Sequence, residues 1–432
     1  MSPKKQEGEK VKLCGRISNI KMLGKISFCN LSDSTGMIQL TLKNGTPAFE
    51  MLANKEIYED CIICIGGTTS FTPKGLPEVD VNDIEVSVRP EKHIKEKSAN
   101  TSFLSSKKHL AMIIDPKLRK RFVIKAKMES SLRNFLENVG FVEFETPILN
   151  HGYDGGVVKP FVTRSHYFRK SMFLRISAEL SLRKLLIAGY DKVFEIGRAF
   201  RNEGVSKYKT YELTMLELHQ TFCDYNYMMQ FLESTFKQMF KSLGIKELTY
   251  EGNKTDISGE WKRVKLVNLV KEYCGIDGEK LEDSEELKKV SKFLNNIDIT
   301  KTNKSFILKE LLSKFIVPKL TNPIFVIEFP SDMAPLAKKL PDNSRYAQVA
   351  VLYMMGVAIG DIYTDENDAK TLIDTFNKQD TELSGKIKES HKNEEYIEML
   401  MYGQPPSAGA GIGLSRLAMI VTGCNTIEDL RL

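Results

Sequence analysis

Two short segments of this 432-residue chain carry residue types that could hold an anionic or flat ligand. In the segment FRNEG, Arg201 and Glu203 end a strand-like run and are two residues apart, so their side chains point the same way. Facing a pocket, Arg201 could bind a phosphate or carboxylate through two hydrogen bonds, and Glu203 could accept one from an amino group. For two such residues alone, a surface ion pair is the more common arrangement.

The second segment, GAGIGLSR, places Gly409, Gly411 and Gly413 ahead of Arg416. Glycines allow the backbone to approach a ligand closely, and the start of a following helix would add amide donors. The pattern is not a dinucleotide fingerprint, because its third glycine comes too early and no βαβ unit follows. The alternative is a tight packing turn between a strand and a helix.

The elements that must position these segments lie within residues 111–432. A helical pattern opens at Asp115 and Pro116 and stops at Gly140, where the extended segment GFVEFETPIL begins. The rest alternates helices with apolar strands such as YDKVFEIGRAF and NPIFVIEF. This mixture predicts an α+β domain built on an antiparallel sheet.

Residues 11–92 instead predict an all-β domain. Short runs rich in Val, Ile, Thr and Phe are separated by turn signals, and one helical stretch, TPAFEMLANKEI, interrupts them. Five strands and one helix in this order fit an OB-type barrel. Residues 1–10 are predicted as a basic tail, and the charged, Ser- and Lys-rich residues 93–110 as a linker.

The composition restricts the class of protein. The net charge of +6 permits a polyanionic partner without requiring one. No apolar run is long enough to span a bilayer and the N-terminus has no secretory pattern, which predicts a cytoplasmic protein without a membrane partner. The seven cysteines are widely spaced, which argues against a disulfide framework. Cys61 and Cys64 are predicted as buried strand thiols rather than as a metal or redox site.

In their order and spacing, the helix with GFVEFETPIL, FRNEG and GAGIGLSR resemble motifs 1, 2 and 3 of class II aminoacyl-tRNA synthetases. The run from DGGVVKPF to FRNEG, with LTMLEL, MAPLAKK, IYTDEND and YGQPPSAGAGIGLSRLAM, resembles the lysyl-tRNA synthetase family in particular. The resemblance covers nearly the whole chain, apart from the tail and residues 240–320. It implies a multidomain α+β fold, with an N-terminal OB-type, anticodon-binding β-barrel and a class II synthetase antiparallel-sheet catalytic domain, in a homodimer.

The resemblance implies ATP-dependent activation of lysine and its transfer to tRNA. The lysine carboxylate attacks the α-phosphate of ATP, so catalysis consists of placement and charge neutralisation. By the same resemblance, Arg201 holds the α-phosphate and Glu203 reads the adenine amino group. Mg²⁺ is expected beside ATP. The γ-phosphate end and the ribose would be held by Arg416 with Gly409, Gly411 and Gly413.

For the amino acid, the resemblance implies a pocket of acids and aromatic rings around an amine. Glu179 and Glu217 match pocket glutamates of the family, and Tyr363 matches an aromatic residue over the substrate side chain. His219 stands where the family usually has Tyr. Asp365 stands where the family has the glutamate that pairs with the ε-ammonium group, and it is one methylene shorter.

For tRNA, the resemblance implies that Phe28 stacks on an anticodon base and that Gln39 and Arg16 contact base edges or phosphates. Two alternatives stay open from the residues alone. Phe28 could be an aromatic side chain of the barrel core, and Gln39 and Arg16 could belong to a solvated strand face.

The expected metal site departs from the family pattern. The two glutamates that bind Mg²⁺ in the family fall at Ala358 and near Ala347 or Val351, so no metal ligand is assigned. Because Mg²⁺ neutralises charge that develops on the phosphates, adenylation is expected to be impaired. A metal site would have to be re-formed by one of three acids, Asp361, Asp365 or Glu366.

Other departures affect both substrates. Asp361 replaces the asparagine that contacts the substrate carboxylate, and an acid there would repel that group. Tyr208, Lys209, Leu213 and Ser415 differ from the family at ATP-contacting positions. Three functions therefore stay open: a divergent lysine–tRNA ligase, a catalytically inactive paralogue that acts as an RNA- or protein-binding structural factor, and an adenylate-forming enzyme for another amine.

Overall fold

The chain divides into two compact units, Met1–Leu118 and Arg119–Leu432. The computed structural model describes residues 7–94, 107–152, 158–294, 303–383 and 393–431. Most of the predicted tail, 1–10, and of the predicted linker, 93–110, lies outside these ranges, and the predicted domain bounds stay predictions.

Five strands of the first unit close a barrel, which confirms the OB-type fold. They are β1 (Lys10–Leu23), β2 (Ile26–Ser32), β3 (Met37–Lys43), β4 (Ile62–Phe71) and β5 (Pro77–Val88). The order around the barrel is β1-β2-β3-β5-β4, in which β3 and β5 are parallel and the other neighbours antiparallel. Helix α1 (Pro47–Ala53) begins where the Thr46 hydroxyl accepts a hydrogen bond from the Phe49 N–H.

A disulfide joins Cys14 on β1 to Cys64 on β4, which face each other across the two strands with their Cα atoms 4.0 Å apart. The prediction of buried thiols is therefore wrong for Cys64. It is confirmed for Cys61, which is fully buried and free. The two positions differ because residues three apart in extended chain point to opposite faces, so only Cys61 shares the core side with Ile63.

The centre of the second unit is an eight-stranded sheet. The strands of this unit are β6 (Val142–Glu143), β7 (Leu149–Asn150), β8 (Val162–Arg164), β9 (Ser171–Leu174), β10 (Lys192–Phe200), β11 (Glu212–Thr221), β12 (Glu247–Tyr250), β13 (Asn253–Asp256), β14 (Lys262–Lys265), β15 (Ile324–Ile327), β16 (Val349–Met354), β17 (Val357–Thr364) and β18 (Ser407–Gly413). The sheet order is β14-β15-β16-β17-β18-β11-β10-β6, and β7-β9-β8 and β12-β13 form two small sheets. Neighbours in the large sheet are antiparallel except for the outermost pair at each edge, which confirms the predicted antiparallel core.

In the described ranges, ten further α-helices follow α1. They are α2 (Lys108–Ile114), α3 (Pro116–Asn138), α4 (Glu179–Ile187), α5 (Tyr225–Ser242), α6 (Leu266–Cys274), α7 (Ser284–Phe293), α8 (Lys304–Leu311), α9 (Ala369–Leu383), α10 (Glu394–Leu400) and α11 (Leu414–Thr422). Helix α3 follows Asp115 as predicted, and Gly140 beyond its end adopts a positive φ of 88°. In the described parts of the chain, no helix is both long and apolar enough to cross a membrane.

The two faces of the large sheet carry different layers. Phe325 and Leu352 point into a core that also contains side chains of α3, α5 and α11. Their strand neighbours Val326 and Val351 point the opposite way, into a core shared with α6, α7 and α8. Within residues 240–320, which the sequence resemblance did not cover, the part from Leu266 onwards supplies this layer on the second face, whereas Phe240, Leu248 and Trp261 pack in the first core.

Candidate functional site

A cavity of about 530 Å³ lies on the second face of the large sheet. Residues that lie opposite one another on four neighbouring strands form a row along its floor, namely Val351, Asp361, Gly411 and Glu217. Because strand residues alternate in direction, Met215 and Tyr363, two positions along, also line the cavity. The register of the sheet thus brings together residues that are far apart in the chain.

The predicted glycines act mainly by making room for neighbouring side chains. A Cβ on Gly411 would lie 2.7 Å from a carboxylate oxygen of Glu217, and a Cβ on Gly409 would lie 2.2 Å from the ring of His219. Of the three glycines, Gly411 lines the cavity, whereas Gly413 precedes α11. The structure therefore places one of the three at the cavity surface.

Arg201 follows β10 and lines the cavity, but Glu203 does not. The Arg201 Nε donates to the carbonyl of Ile176 at 3.5 Å, and its Nη2 lies 3.5 Å from the sulfur of Met215. Among the residues that the structure describes, Arg201 has no ion-pair partner, so its charge is available to a ligand. Glu203 is exposed outside the cavity lining, and its predicted contact with adenine stays a prediction.

Arg416 extends from α11 towards the same end of the cavity. Its Nε donates to the carbonyl of Tyr208 at 3.0 Å and its Nη1 to the carbonyl of Ala358 at 3.1 Å. Burial and the charge of Arg201 lower the pKa of Arg416, and Asp361 opposes this change. The two arginines are therefore close enough to repel each other, which favours an anion between or beside them.

Two glutamates form the acidic part of the cavity. The Ser177 hydroxyl donates to Glu217 at 2.7 Å and accepts from the backbone N–H of Glu179 at 3.0 Å. Burial raises the pKa of Glu217 to about 7, and the charge of Glu179 adds to this rise. Glu217 thus lacks a cationic partner of its own, as a binding site for an ammonium group requires.

Asp361 stands on β17 with its side chain open to the cavity. The protein around the cavity desolvates the carboxylate and raises its pKa, while Arg201 and Arg416 lower it and Glu179 raises it. Asp361 therefore interacts electrostatically with the two arginines and with Glu179. A substrate carboxylate placed here would meet a like charge, as the sequence predicts.

Asp365 and His219 lie in a fully buried network and do not line the cavity. Asp365 accepts a hydrogen bond from the Ser407 hydroxyl at 2.6 Å and lies 3.1 Å from Nδ1 of His219. Burial alone would raise the pKa of Asp365, but Arg183 and His219 outweigh it and lower the pKa to about 2. The structure does not bring Asp365 together with Glu179 and Glu217 around an amine, because its charge is already paired.

Arg183 contacts the site residue Glu179, and the sequence interpretation did not single it out. It is wholly buried on α4, and it donates to a Glu179 carboxylate oxygen at 3.3 Å and to the backbone carbonyl of Glu366 at 2.5 Å. Its spacing of four residues from Glu179 on one helix was an available signal. By pairing with one oxygen, Arg183 fixes the direction in which Glu179 meets the cavity.

The residues at the expected Mg²⁺ positions do not fit a divalent cation. Mg²⁺ takes oxygen ligands in near-octahedral geometry. Ala358 and Val351 instead line the cavity with hydrocarbon groups, and Ala347 is buried in the apolar core of the second face. None of the three supplies a side-chain oxygen.

The acids that could have re-formed a metal site are separated from one another. Asp361 faces the cavity, Asp365 is paired in its buried network, and a Glu366 carboxylate oxygen accepts from the N–H of Asp368. Across the described ranges, no three His, Cys, Asp or Glu side chains converge in a way that would hold a metal ion.

The barrel carries the second candidate site on the outer side of β1, β2 and β3. Phe28 is half-buried and absent from the barrel core, because it alternates with the core residue Cys29 on β2. Gln39 donates to Glu78 at 2.8 Å, and Arg16 donates to the carbonyl of Asp60 at 2.8 Å. The alternative of a core aromatic is therefore not supported for Phe28, while the RNA contacts stay predictions.

Comparisons with known proteins place both parts of the chain in known families. Residues 100–432 match the family model of class II tRNA synthetases (D, K and N), and residues 11–87 match that of the OB-fold nucleic acid binding domain. The chain is 30% identical to the lysine–tRNA ligase of Moorella thermoacetica over 98% of this chain and 88% of that protein. It is 31% identical to that of Halalkalibacterium halodurans (99% and 86%) and 33% identical to lysine–tRNA ligase 2 of Methanosarcina acetivorans (99% and 85%).

Proposed function

The chain belongs to the class II lysyl-tRNA synthetase family, and we propose on this basis that it is a divergent lysine–tRNA ligase. The observation that carries the proposal is the distribution of charge in one cavity. Glu179, Glu217, Asp361 and Arg201 line this cavity, and the charge of Arg416 acts on Asp361. A ligand with an ammonium group and a phosphate group would find an opposite charge for each.

In this proposal the residues of the cavity act by placement. Glu217 and Glu179 pair with the ammonium groups of lysine, and pairing with a cation favours the ionised form of Glu217. Arg201 neutralises charge on the α-phosphate while the lysine carboxylate attacks it. Ser177 and Arg183 hold the two glutamates in place through the hydrogen bonds described above.

The proposal includes tRNA as a partner, because the barrel belongs to a nucleic acid binding family. Phe28, Gln39 and Arg16 on its outer face are the proposed contacts. We also propose a homodimer in the cytoplasm. Exposed apolar side chains of the motif 1 region, Val123 on α3, Val142 on β6 and Ile148, support a contact with a second copy. Light scattering of the purified protein tests the mass of a dimer.

A second candidate is an inactive paralogue that binds RNA or protein. The apolar residues at Ala358 and Val351 favour it, because a ligase of this family is expected to use Mg²⁺. A third candidate is an adenylate-forming enzyme for an amine without a carboxylate, which Asp361 favours by repelling a carboxylate.

Amino-acid-dependent exchange between ATP and pyrophosphate separates these candidates. We expect exchange with lysine. Arg201→Ala should lose this exchange, and Arg198→Ala should keep it. Arg198 is the matched control, since it lies near the end of the same strand with its side chain 47% exposed and paired with Glu212. Exchange with 1,5-diaminopentane instead of lysine would favour the third candidate, and would require an amine nitrogen to attack the α-phosphate, forming an N–P bond and releasing pyrophosphate. Silence with every substrate from a folded, tRNA-binding protein would favour the second.

A further inference from the structure

Lys309 is a cavity residue outside the three motifs that the sequence analysis identified. It belongs to α8, in the layer of helices on the second face. Its side chain is exposed where it lines the cavity, together with Leu312 and Ser313 that follow it. No ion pair with another described residue holds it. A lysine that is unpaired at the mouth of an enclosed site is available to an anionic ligand.

Three cations meet around one acid in this part of the cavity. Burial raises the pKa of Asp361, whereas the charges of Arg201, Arg416 and Lys309 all lower it. Within the described ranges, none of the three cations lies within ion-pair distance of a carboxylate. The hydrogen bonds of the two arginines go to backbone carbonyls or to sulfur, so the one acid Asp361 faces three positive charges and does not balance them.

The cavity wall beside these cations is apolar. Val351, Ala358 and Leu312 line it, and the first two occupy the positions at which metal-binding glutamates were expected. Hydrocarbon groups cannot replace the water that Mg²⁺ would have to lose. Positive charge for a phosphate chain must therefore come from side chains or from a metal that only the nucleotide itself holds.

We propose that Lys309 binds the phosphate chain of ATP together with Arg201 and Arg416, and that the protein holds no divalent metal there. The ammonium group of a lysine is a compact charge on a flexible stem, so it can follow phosphate oxygens without fixed coordination geometry. This inference rests on the proposed use of ATP. It adds a binding residue from a segment that carries none of the three motifs, and it removes the dependence of nucleotide binding on a protein-held metal.

Calorimetric titration of the full chain with ATP, in EDTA and again in excess Mg²⁺, tests the proposal. The ATP affinity of the unmodified protein is expected to differ by less than about threefold between the two conditions, because no protein ligand needs the metal. Lys309→Ala and Lys309→Gln are expected to weaken binding roughly 10- to 100-fold in both, as the loss of a charged hydrogen bond predicts. Lys309→Arg should keep most of the affinity.

The control is Lys314→Ala. Lys314 lies about one turn further along, is exposed, and pairs with Glu310 at 2.6 Å outside the cavity lining. Its loss should leave ATP binding unchanged. The inference would be overturned if the ATP affinity of the unmodified protein rises more than about tenfold with Mg²⁺, or if Lys309→Ala binds ATP as tightly as Lys314→Ala. Either result would leave the ligase proposal standing. No ATP binding in either condition would overturn both.

Discussion

The carboxylate of Asp365 lies 3.1 Å from Nδ1 of His219, and neither side chain has any surface exposed to solvent. Arg183, also wholly buried, stands 3.9 Å from the other oxygen of Asp365. Such a group of charges is stable only while the charges balance, because each would be costly to bury alone. Arg183 also contacts Glu179, so this buried network supports one of the acids of the cavity.

Asp365→Asn is therefore expected to lower the free energy of unfolding by about 3–5 kcal/mol, the usual cost of leaving a buried charge without its partner. Urea denaturation followed by circular dichroism measures it. Asp342→Asn, at an exposed loop position, is the control and should change stability little. Equal stability of the two variants would show that the network does not stabilise the fold.

The same pair predicts how stability depends on pH. The pKa of His219 is raised above 6.5, since the raising effect of Asp365 outweighs the lowering effect of burial. The contribution of His219 to stability is therefore full below pH 6.5 and is lost as the pH rises through its pKa in the folded state. The pKa of Asp365 is lowered from 3.8 to about 2, so its contribution is full above pH 3.8 and is lost as the pH falls towards 2. The stability difference between the natural protein and Asp365→Asn should be larger at pH 6 than at pH 9. A difference that grows towards pH 9 would contradict this assignment.

Glu217 predicts a pH dependence of substrate binding. Burial and Glu179 raise its pKa to about 7, and an ammonium group binds its ionised form. The affinity for lysine should therefore rise roughly tenfold between pH 6 and pH 8, as the ionised fraction of such a carboxyl does. Isothermal titration calorimetry at the two pH values measures it. In Glu217→Gln the affinity should be low and the pH step absent; a step that persists there would belong to another group.

Local patterns predicted the fold better than they predicted the site. The barrel strands and α3 follow from apolar periodicity, which depends on residues close in the chain. The resemblance assigned Asp365 to the substrate ammonium group from its position alone. Its pairing with Arg183 could not be inferred, because Arg183 is distant in sequence and is brought to it only by the packing of α4 beside the sheet. Lys309 gave no signal at all, since nothing local marks a lysine on a short helix as a cavity residue.

The disulfide shows the same limit for cysteines. The pairing of Cys14 with Cys64 depends on the register of β1 against β4, which spacing along the chain does not reveal. The same limit applies to Glu217 and Asp361 in the cavity. Their alignment across neighbouring strands cannot be predicted without the register of those strands.

The Cys14–Cys64 disulfide predicts that reduction destabilises the barrel. It closes a loop over a sequence separation of 50 residues, for which chain entropy gives a stabilisation of up to about 4 kcal/mol. Urea denaturation with and without dithiothreitol should show a loss of this order or less. Cys14→Ser is the control. Because it cannot form the disulfide, its free energy of unfolding should be the same with and without dithiothreitol. Thiol titration of the unfolded, unreduced protein checks the pairing, because seven reactive thiols would mean that no disulfide forms.

Phe28 gives the prediction for the barrel. It stands outside the barrel core, half-buried like Asn30 two residues along β2, on the outer face of the strand. Phe28→Ala should weaken tRNA binding roughly 5- to 100-fold, since stacking of one base on an aromatic ring contributes about 1–3 kcal/mol. Filter binding or fluorescence anisotropy at fixed salt measures the affinity.

Leu76→Ala is the matched control for Phe28→Ala. Leu76 is a 63% exposed apolar residue of the same barrel, in the turn between β4 and β5. Because its side chain packs little against the core, both variants should keep the barrel folded, and only Phe28→Ala should lose tRNA affinity. If Phe28→Ala binds tRNA as tightly as the unmodified protein, the aromatic ring does not contact RNA. If both variants lose affinity, the effect is a general one on the barrel.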